Sequence, residues 1–157
     1  MRIEMEPIGM VQPSRKTAED DYWGGDEARI VLDERVGEDA LRGIEDFSHA
    51  EIIFCFDRVE EAKILTGARY PRNNPDWPAV GIFAQRGKNR PNRIGSTICR
   101  ILRREGCVLT VAELDAIDGT PVLDIKPVMQ EFLPREQIRQ PLRSRELMRL
   151  YWNKPRI

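Results

Sequence analysis

A single histidine, His49, stands in 157 residues, which leaves no histidine cluster for a metal ion. Cysteine is scarce too: Cys55, Cys99 and Cys107 are odd in number, and each lies in an apolar run (IIFCFD, STICRIL, GCVLTV). A metal site wants close pairs or histidines, and a thiolate nucleophile wants a base partner that the sequence does not offer. All three therefore read as small buried hydrophobes. No Gly-x-Gly occurs, so the phosphate turn of a doubly wound nucleotide fold is missing. No run of about 18 apolar residues exists, which excludes a membrane-spanning helix. The opening MRIEMEPIGM spreads charge through its apolar residues and lacks the core of a secretory signal. The expected location is the cytoplasm.

What is present fits one water-soluble domain, residues 1–157. At this length roughly 70% of the unfolded surface can be buried, so a core needs no staples. The charge of −1 conceals segregation: residues 1–79 hold 10 basic and 18 acidic side chains, net −8. Residues 86–104 hold seven basic side chains and no acid, and residues 126–157 hold eight basic and three acidic, net +5. This pattern points to an anionic ligand or nucleic acid, or to a solvated basic face.

The run RIEMEPIGMV suggests a first strand, and Gln12–Glu27 a long polar loop. ARIVLD is a short strand, Asp39–Ile44 one or two helical turns, and FSHAEIIFCFDRV, rich in β-branched and aromatic residues, the best strand of the first half. Three prolines force a loop over Gly67–Pro78. Then VGIFA, GSTICRIL, CVLTVAEL and TPVLDIKP form four short apolar runs separated by turns, with a hairpin corner at 103–106. A helical extension is expected over about 135–152, with Pro141 in the first turn and Arg139, Arg143, Arg145 and Arg149 between apolar positions. The arginines could track RNA, but packing with a solvated outer face is the preferred reading. Many short strands and one late helix argue for a mostly β fold, a small closed or strongly curved β-barrel, because closure removes exposed edges.

Two segments carry chemistry. The first, Arg86–Gly95 (RGKNRPNRIG), is a loop stiffened by Pro91, with Arg90 and Arg93 as planar donor forks suited to carboxylates or phosphates. Its plain alternative is a positively charged hairpin. The second, Asp118–Pro127 (DGTPVLDIKP), reads as a tight turn feeding a strand. Val122 and Asp124 should share one face and Leu123 and Ile125 the other. Here the alternative is that Asp118 caps the turn and Asp124 pairs with a core arginine. His49 could be a general base, although a lone histidine at a strand start is more often a hydrogen-bonded structural residue.

Together the two strings resemble the TrmO family (TsaA-like or VirR-like), whose pattern is R-x-x-x-R-P-N-P-I-G and D-G-T-P-x-x-D-I-K-P-Y. Ile8-Gly9, Phe47-Ser48-His49 and GIFAQR at 81–86 extend the likeness to about residues 7–130. The resemblance implies a small β-barrel that binds S-adenosyl-L-methionine, usually as a homodimer with the cofactor near the subunit interface. It further implies methylation of N6 of threonylcarbamoyladenosine at position 37 of certain tRNAs, so the anticodon stem-loop is the expected partner and no metal is required. Cofactor contacts carry over to Asp57, Arg58, Arg86, Asp118, Gly119, Thr120 and Pro121. Arg90, Asn92, Arg93, Asp124 and Lys126 would serve substrate or cofactor. Three positions depart from the pattern: Arg93 replaces a proline, which should loosen the loop, Val128 replaces a tyrosine, and Asp57 stands where many members have histidine. Two rival readings remain, a module that binds S-adenosylmethionine without transferring methyl groups, and a methyltransferase for a non-tRNA substrate.

Overall fold

The computed structural model describes residues 1–12 and 19–154. Six strands close into an antiparallel barrel: β1 (Gly9–Gln12), β2 (Glu27–Leu32), β3 (His49–Cys55), β6 (Ile94–Glu105), β7 (Val108–Ala112) and β8 (Pro121–Pro127). Around the barrel the order is β1-β2-β7-β6-β3-β8, and β8 pairs with β1 through Gly9–Val122 and Met10–Pro121. Two-residue strands β4 (Ala68–Arg69) and β5 (Val80–Gly81) form a separate ribbon.

Period-two patterning fills the interior. Ala50, Ile52 and Phe54 of β3 point in, as do Ala28, Ile30 and Leu32 of β2, Leu109 and Val111 of β7, and Val11 of β1, all 5% exposed or less. Phe54 and Phe56 meet edge to face at 5.3 Å. Gly95 is what lets β6 approach them, because a Cβ there would stand 2.4 Å from Phe54.

Several expectations need correction. The first strand starts at Gly9, not Arg2, and the exposed residues before it are not in regular structure. VGIFA yields only the two residues of β5 and then a 3-10 turn over Ile82–Ala84, which buries Ile82. In β8 the register slips between Ile53 and Phe54, so Leu123 is the extra residue of a bulge. Val122 and Ile125 therefore both turn to the core, and Asp124 turns outward. The C-terminal helix is one short piece, α1 (Leu142–Leu147), with Pro141 as its N-cap residue. Residues 133–140 before it are all exposed and bury no apolar face that would extend the helix. The polar loop expected over 12–27 falls partly on residues 13–18, outside the described residues.

Antiparallel pairing has a consequence for function. The ends of β1, β3 and β7 and the starts of β2, β6 and β8 all lie at one mouth of the barrel. The β3–β6 and β7–β8 connections (residues 56–93 and 113–120) and the described part of the β1–β2 connection (residues 19–26) therefore emerge together. The opposite mouth carries the tight β6–β7 hairpin, whose Gly106 has φ +58°, and the β2–β3 connection.

Candidate functional site

Loops that emerge at a barrel mouth are free to carry function because the barrel supplies the rigidity. The Arg86–Gly95 loop and the turn that opens the Asp118–Pro127 segment both lie there. The turn after β3 joins them. Arg58 Nη2 donates to the Asp118 carbonyl at 2.9 Å, and Arg93 Nη1 donates to the Val59 carbonyl at 2.8 Å. One arginine thus ties the turn to Asp118–Pro121, and the other ties it to the Arg86–Gly95 loop.

The Asp118 turn is built locally. Gly119 takes φ +83°, a conformation that favours glycine. Its N–H donates to Val11 O at 2.9 Å, and the Thr120 hydroxyl donates to Ile117 O at 2.7 Å. A Cβ on Gly119 would stand 3.6 Å from Arg58 Nη2. Among the described residues, neither the Asp57 nor the Asp118 carboxylate has a hydrogen bond or ion pair. Arg58 is spent on holding the turn, and the Asp118 carboxylate stays on that turn as an acceptor.

In the other segment the structure separates braces from free groups. Arg90 Nη1 donates to Gln85 O at 2.7 Å, holding its own loop. Arg93 is not the loosening residue expected from the loss of proline. Its φ is +52°, which a proline ring forbids, and it holds both Val59 and, through its carbonyl, the Phe56 N–H at 2.8 Å. Asn92 beside it has φ +65°, an asparagine-tolerated geometry. Arg86 Nη2 reaches the Ser96 carbonyl at 2.6 Å, on the start of β6.

Three residues lie apart. Asp124 and Lys126 pair with each other at 3.1 Å on the outer face of β8, so Asp124 has no core arginine as partner. His49 begins β3 at the opposite mouth, about 20 Å from Cys55 by strand rise, and its Nδ1 meets the Ser48 hydroxyl at 2.7 Å. A cleft of about 450 Å³ also opens at that mouth, lined by Leu32, Leu41, Ile44, Phe47 and Asp124 among others. The Asp118 mouth is the stronger candidate because it collects polar groups without partners, whereas the cleft is mainly apolar.

Sequence reasoning missed Asp115, whose carboxylate accepts from the hydroxyls of Thr97 and Tyr151. The only signal was an acid three residues before Asp118 between buried Leu114 and Ala116. Burial, then the Asp115 charge, push the Tyr151 phenol well up, so it stays a donor. Burial likewise pushes the Cys99 thiol well up, away from nucleophile chemistry. Among the described residues no group of His, Cys, Asp and Glu side chains is placed to hold a metal ion, and no helix is long and apolar enough to cross a membrane.

Residues 18–132 match the tRNA-methyltransferase O N-terminal domain. The chain belongs to this family. It is 38% identical over 101 residues to a "Probable S-adenosyl-L-methionine-binding protein" of Pyrococcus abyssi, covering 64% of this chain and 52% of that protein. It is 36% identical over 105 residues to a human "tRNA (adenine(37)-N6)-methyltransferase", covering 67% of this chain and 23% of that one. The enzyme of that name from Escherichia coli is 38% identical over 95 residues, 58% of this chain and 40% of that one. The chain thus spans about half or less of these relatives. A crystal structure of TrmO from P. aeruginosa superposes with a TM-score of 0.73 at 25% identity, over 92% of this chain and 62% of that one. The mostly β barrel with one short C-terminal helix is therefore the family architecture.

Proposed function

We propose that this chain is an S-adenosyl-L-methionine-dependent methyltransferase that methylates N6 of threonylcarbamoyladenosine at position 37 of tRNA. The observation that carries the reading is the junction at one barrel mouth, where Arg58 holds the Asp118 turn beside the free carboxylates of Asp57 and Asp118. The names of the family relatives agree with it.

S-adenosylmethionine offers an ammonium, a carboxylate and a ribose diol, and the residues at the mouth fit such a ligand. Asp57 and Asp118 supply acceptors for the ammonium and the hydroxyls. Arg58 holds the turn that presents them. Gly119 and Thr120 give a turn of fixed shape, with Pro121 locking its exit. Bound there, the cofactor supplies an electrophilic methyl group on a sulfonium. The protein's task is in-line placement of the acceptor nitrogen and removal of its proton. Arg86, Arg90, Asn92 and Arg93 frame the neighbouring loop, where they orient cofactor or substrate. Lys126 and Asp124 stand on the outer wall, more suited to substrate than to cofactor. The proposed machinery leaves out His49, which lies at the far mouth.

The anticodon stem-loop would be met through its phosphates by basic side chains, with splayed bases stacked on Arg or aromatic groups. We further propose that residues 1–157 act as one domain, that the working form is a homodimer, and that it acts in the cytoplasm. Titration calorimetry with S-adenosylmethionine tests the cofactor site, and no detectable heat would sink it. Tumbling rates in solution test the dimer, and a monomer at working concentration would remove that part alone.

A further inference from the structure

The segment after α1 returns to the site mouth. Tyr22 N–H donates to Leu150 O at 3.1 Å, Trp23 N–H to Tyr151 O at 2.8 Å, and Gly24 N–H to Asn153 O at 2.9 Å. These bonds form a strap across the β1–β2 connection. The approach is so close that a Cβ on Gly24 would lie 1.8 Å from Trp152 O. Trp77 Nε1 adds a bond to Glu146 Oε2 at 3.1 Å, and the Tyr151 and Trp152 rings meet edge to face at 4.9 Å. The strap lies beyond residue 132, where the family match ends.

From this strap the Tyr151 hydroxyl donates to Asp115 Oδ2, while Thr97 of the barrel wall donates to Oδ1. Asp115 lies in the β7–β8 connection, flanked by buried Leu114 and Ala116 and three residues before Asp118. The connection is fixed at its ends by Glu113 N–H to Asp26 O at 2.7 Å and Gly119 N–H to Val11 O at 2.9 Å. Between these points the Asp115 carboxylate ties the connection to the wall and the strap, and Arg58 holds the Asp118 carbonyl. A carboxylate with each oxygen taken by one hydroxyl is held in a single orientation.

We propose that Tyr151 is a positioning residue: through Asp115 it sets the β7–β8 connection and so the Asp118–Pro121 turn for its ligand. This rests on the cofactor reading above, in that the ligand assigned to the turn is S-adenosylmethionine. The strap thereby makes the candidate site depend on a part of the chain outside the family-matched segment.

The test uses the full chain with Tyr151→Phe, Thr97→Val and Thr97→Ser, measuring amide exchange by segment and the Kd for S-adenosylmethionine. In Tyr151→Phe and Thr97→Val, exchange over 113–120 should quicken and Kd should rise by about tenfold, the effect of one lost hydrogen bond to a charged group. Exchange in β2 and β7 should stay at the wild-type rate. Thr97→Ser keeps the hydroxyl and should restore both readings. Unchanged exchange over 113–120 in Tyr151→Phe would overturn the proposal, as would quickening spread evenly through β2 and β7. If the unaltered chain binds no S-adenosylmethionine, the cofactor reading fails by itself, and the exchange measurement still decides whether Tyr151 sets the turn.

Discussion

Arg58 and Asp118 are separated by 60 residues in sequence, yet the Arg58 guanidinium donates to the Asp118 carbonyl at 2.9 Å. Barrel order explains the meeting, since the end of β3 and the start of β8 are paired neighbours at one mouth. The bond spends Arg58 on a carbonyl and leaves the Asp118 carboxylate free for a ligand.

Asp118→Ala should therefore weaken S-adenosylmethionine binding by about 10- to 100-fold, the range for a lost hydrogen bond to a charged group. Arg143→Ala, on the strap helix, should leave it unchanged. Calorimetry on both variants checks this, and equal effects would mean that the pocket lies elsewhere.

Gly95→Ala should destabilise the fold by about 1–3 kcal/mol, because the added methyl meets Phe54 and Phe56 inside a packed wall. Urea unfolding reads the loss directly. A wild-type midpoint would show that the two rings can move aside without cost.

How much of this was legible beforehand follows the reach of each signal. The barrel was readable from strands such as HAEIIFC, whose alternation carries directly into Ala50, Ile52 and Phe54 pointing inward. The pairing of RGKNRPNRIG with DGTPVLDIKP was readable as a motif, and the common mouth gives it a spatial reason. The bulge at Leu123 was not readable, since a strand of alternating type carries no mark of where its partner slips. Arg93 misled because the lost proline suggested slack, whereas its positive φ and its bond to Val59 make it a brace. Asp115 and Tyr151 could not be linked from sequence, because their contact depends on how the chain returns after α1.

The Glu45–Arg104 pair on the outer wall gives a pH signature. Arg104 Nη2 and Nε grip the carboxylate at 2.8 and 3.1 Å. The Arg104 hydrogen bonds hold the Glu45 carboxyl below its ordinary value of 4.5. A lowered folded-state value adds stability that is present above the ordinary value and lost as pH falls through the lowered one. Glu45→Gln should lower Tm slightly at about pH 7, and the gap should shrink as pH falls below the ordinary value of 4.5. A gap that persists in acid would contradict the ion-pair origin.

If the partner is an anticodon stem-loop, affinity should fall steeply with salt. The log–log slope should be about −0.7 for each phosphate contacted on single-stranded RNA. A flat response in a filter-binding series would remove the phosphate contacts.

The central claim is methyl transfer to tRNA, and mass analysis of tRNA nucleosides tests it most directly. Purified protein is incubated with S-adenosylmethionine and tRNA carrying threonylcarbamoyladenosine, and the digested nucleosides are compared with a no-protein control. The account predicts a new nucleoside one methylene heavier than threonylcarbamoyladenosine, lost in Asp118→Ala. Unchanged threonylcarbamoyladenosine, with cofactor saturating and its binding demonstrated in the same preparation, would contradict it.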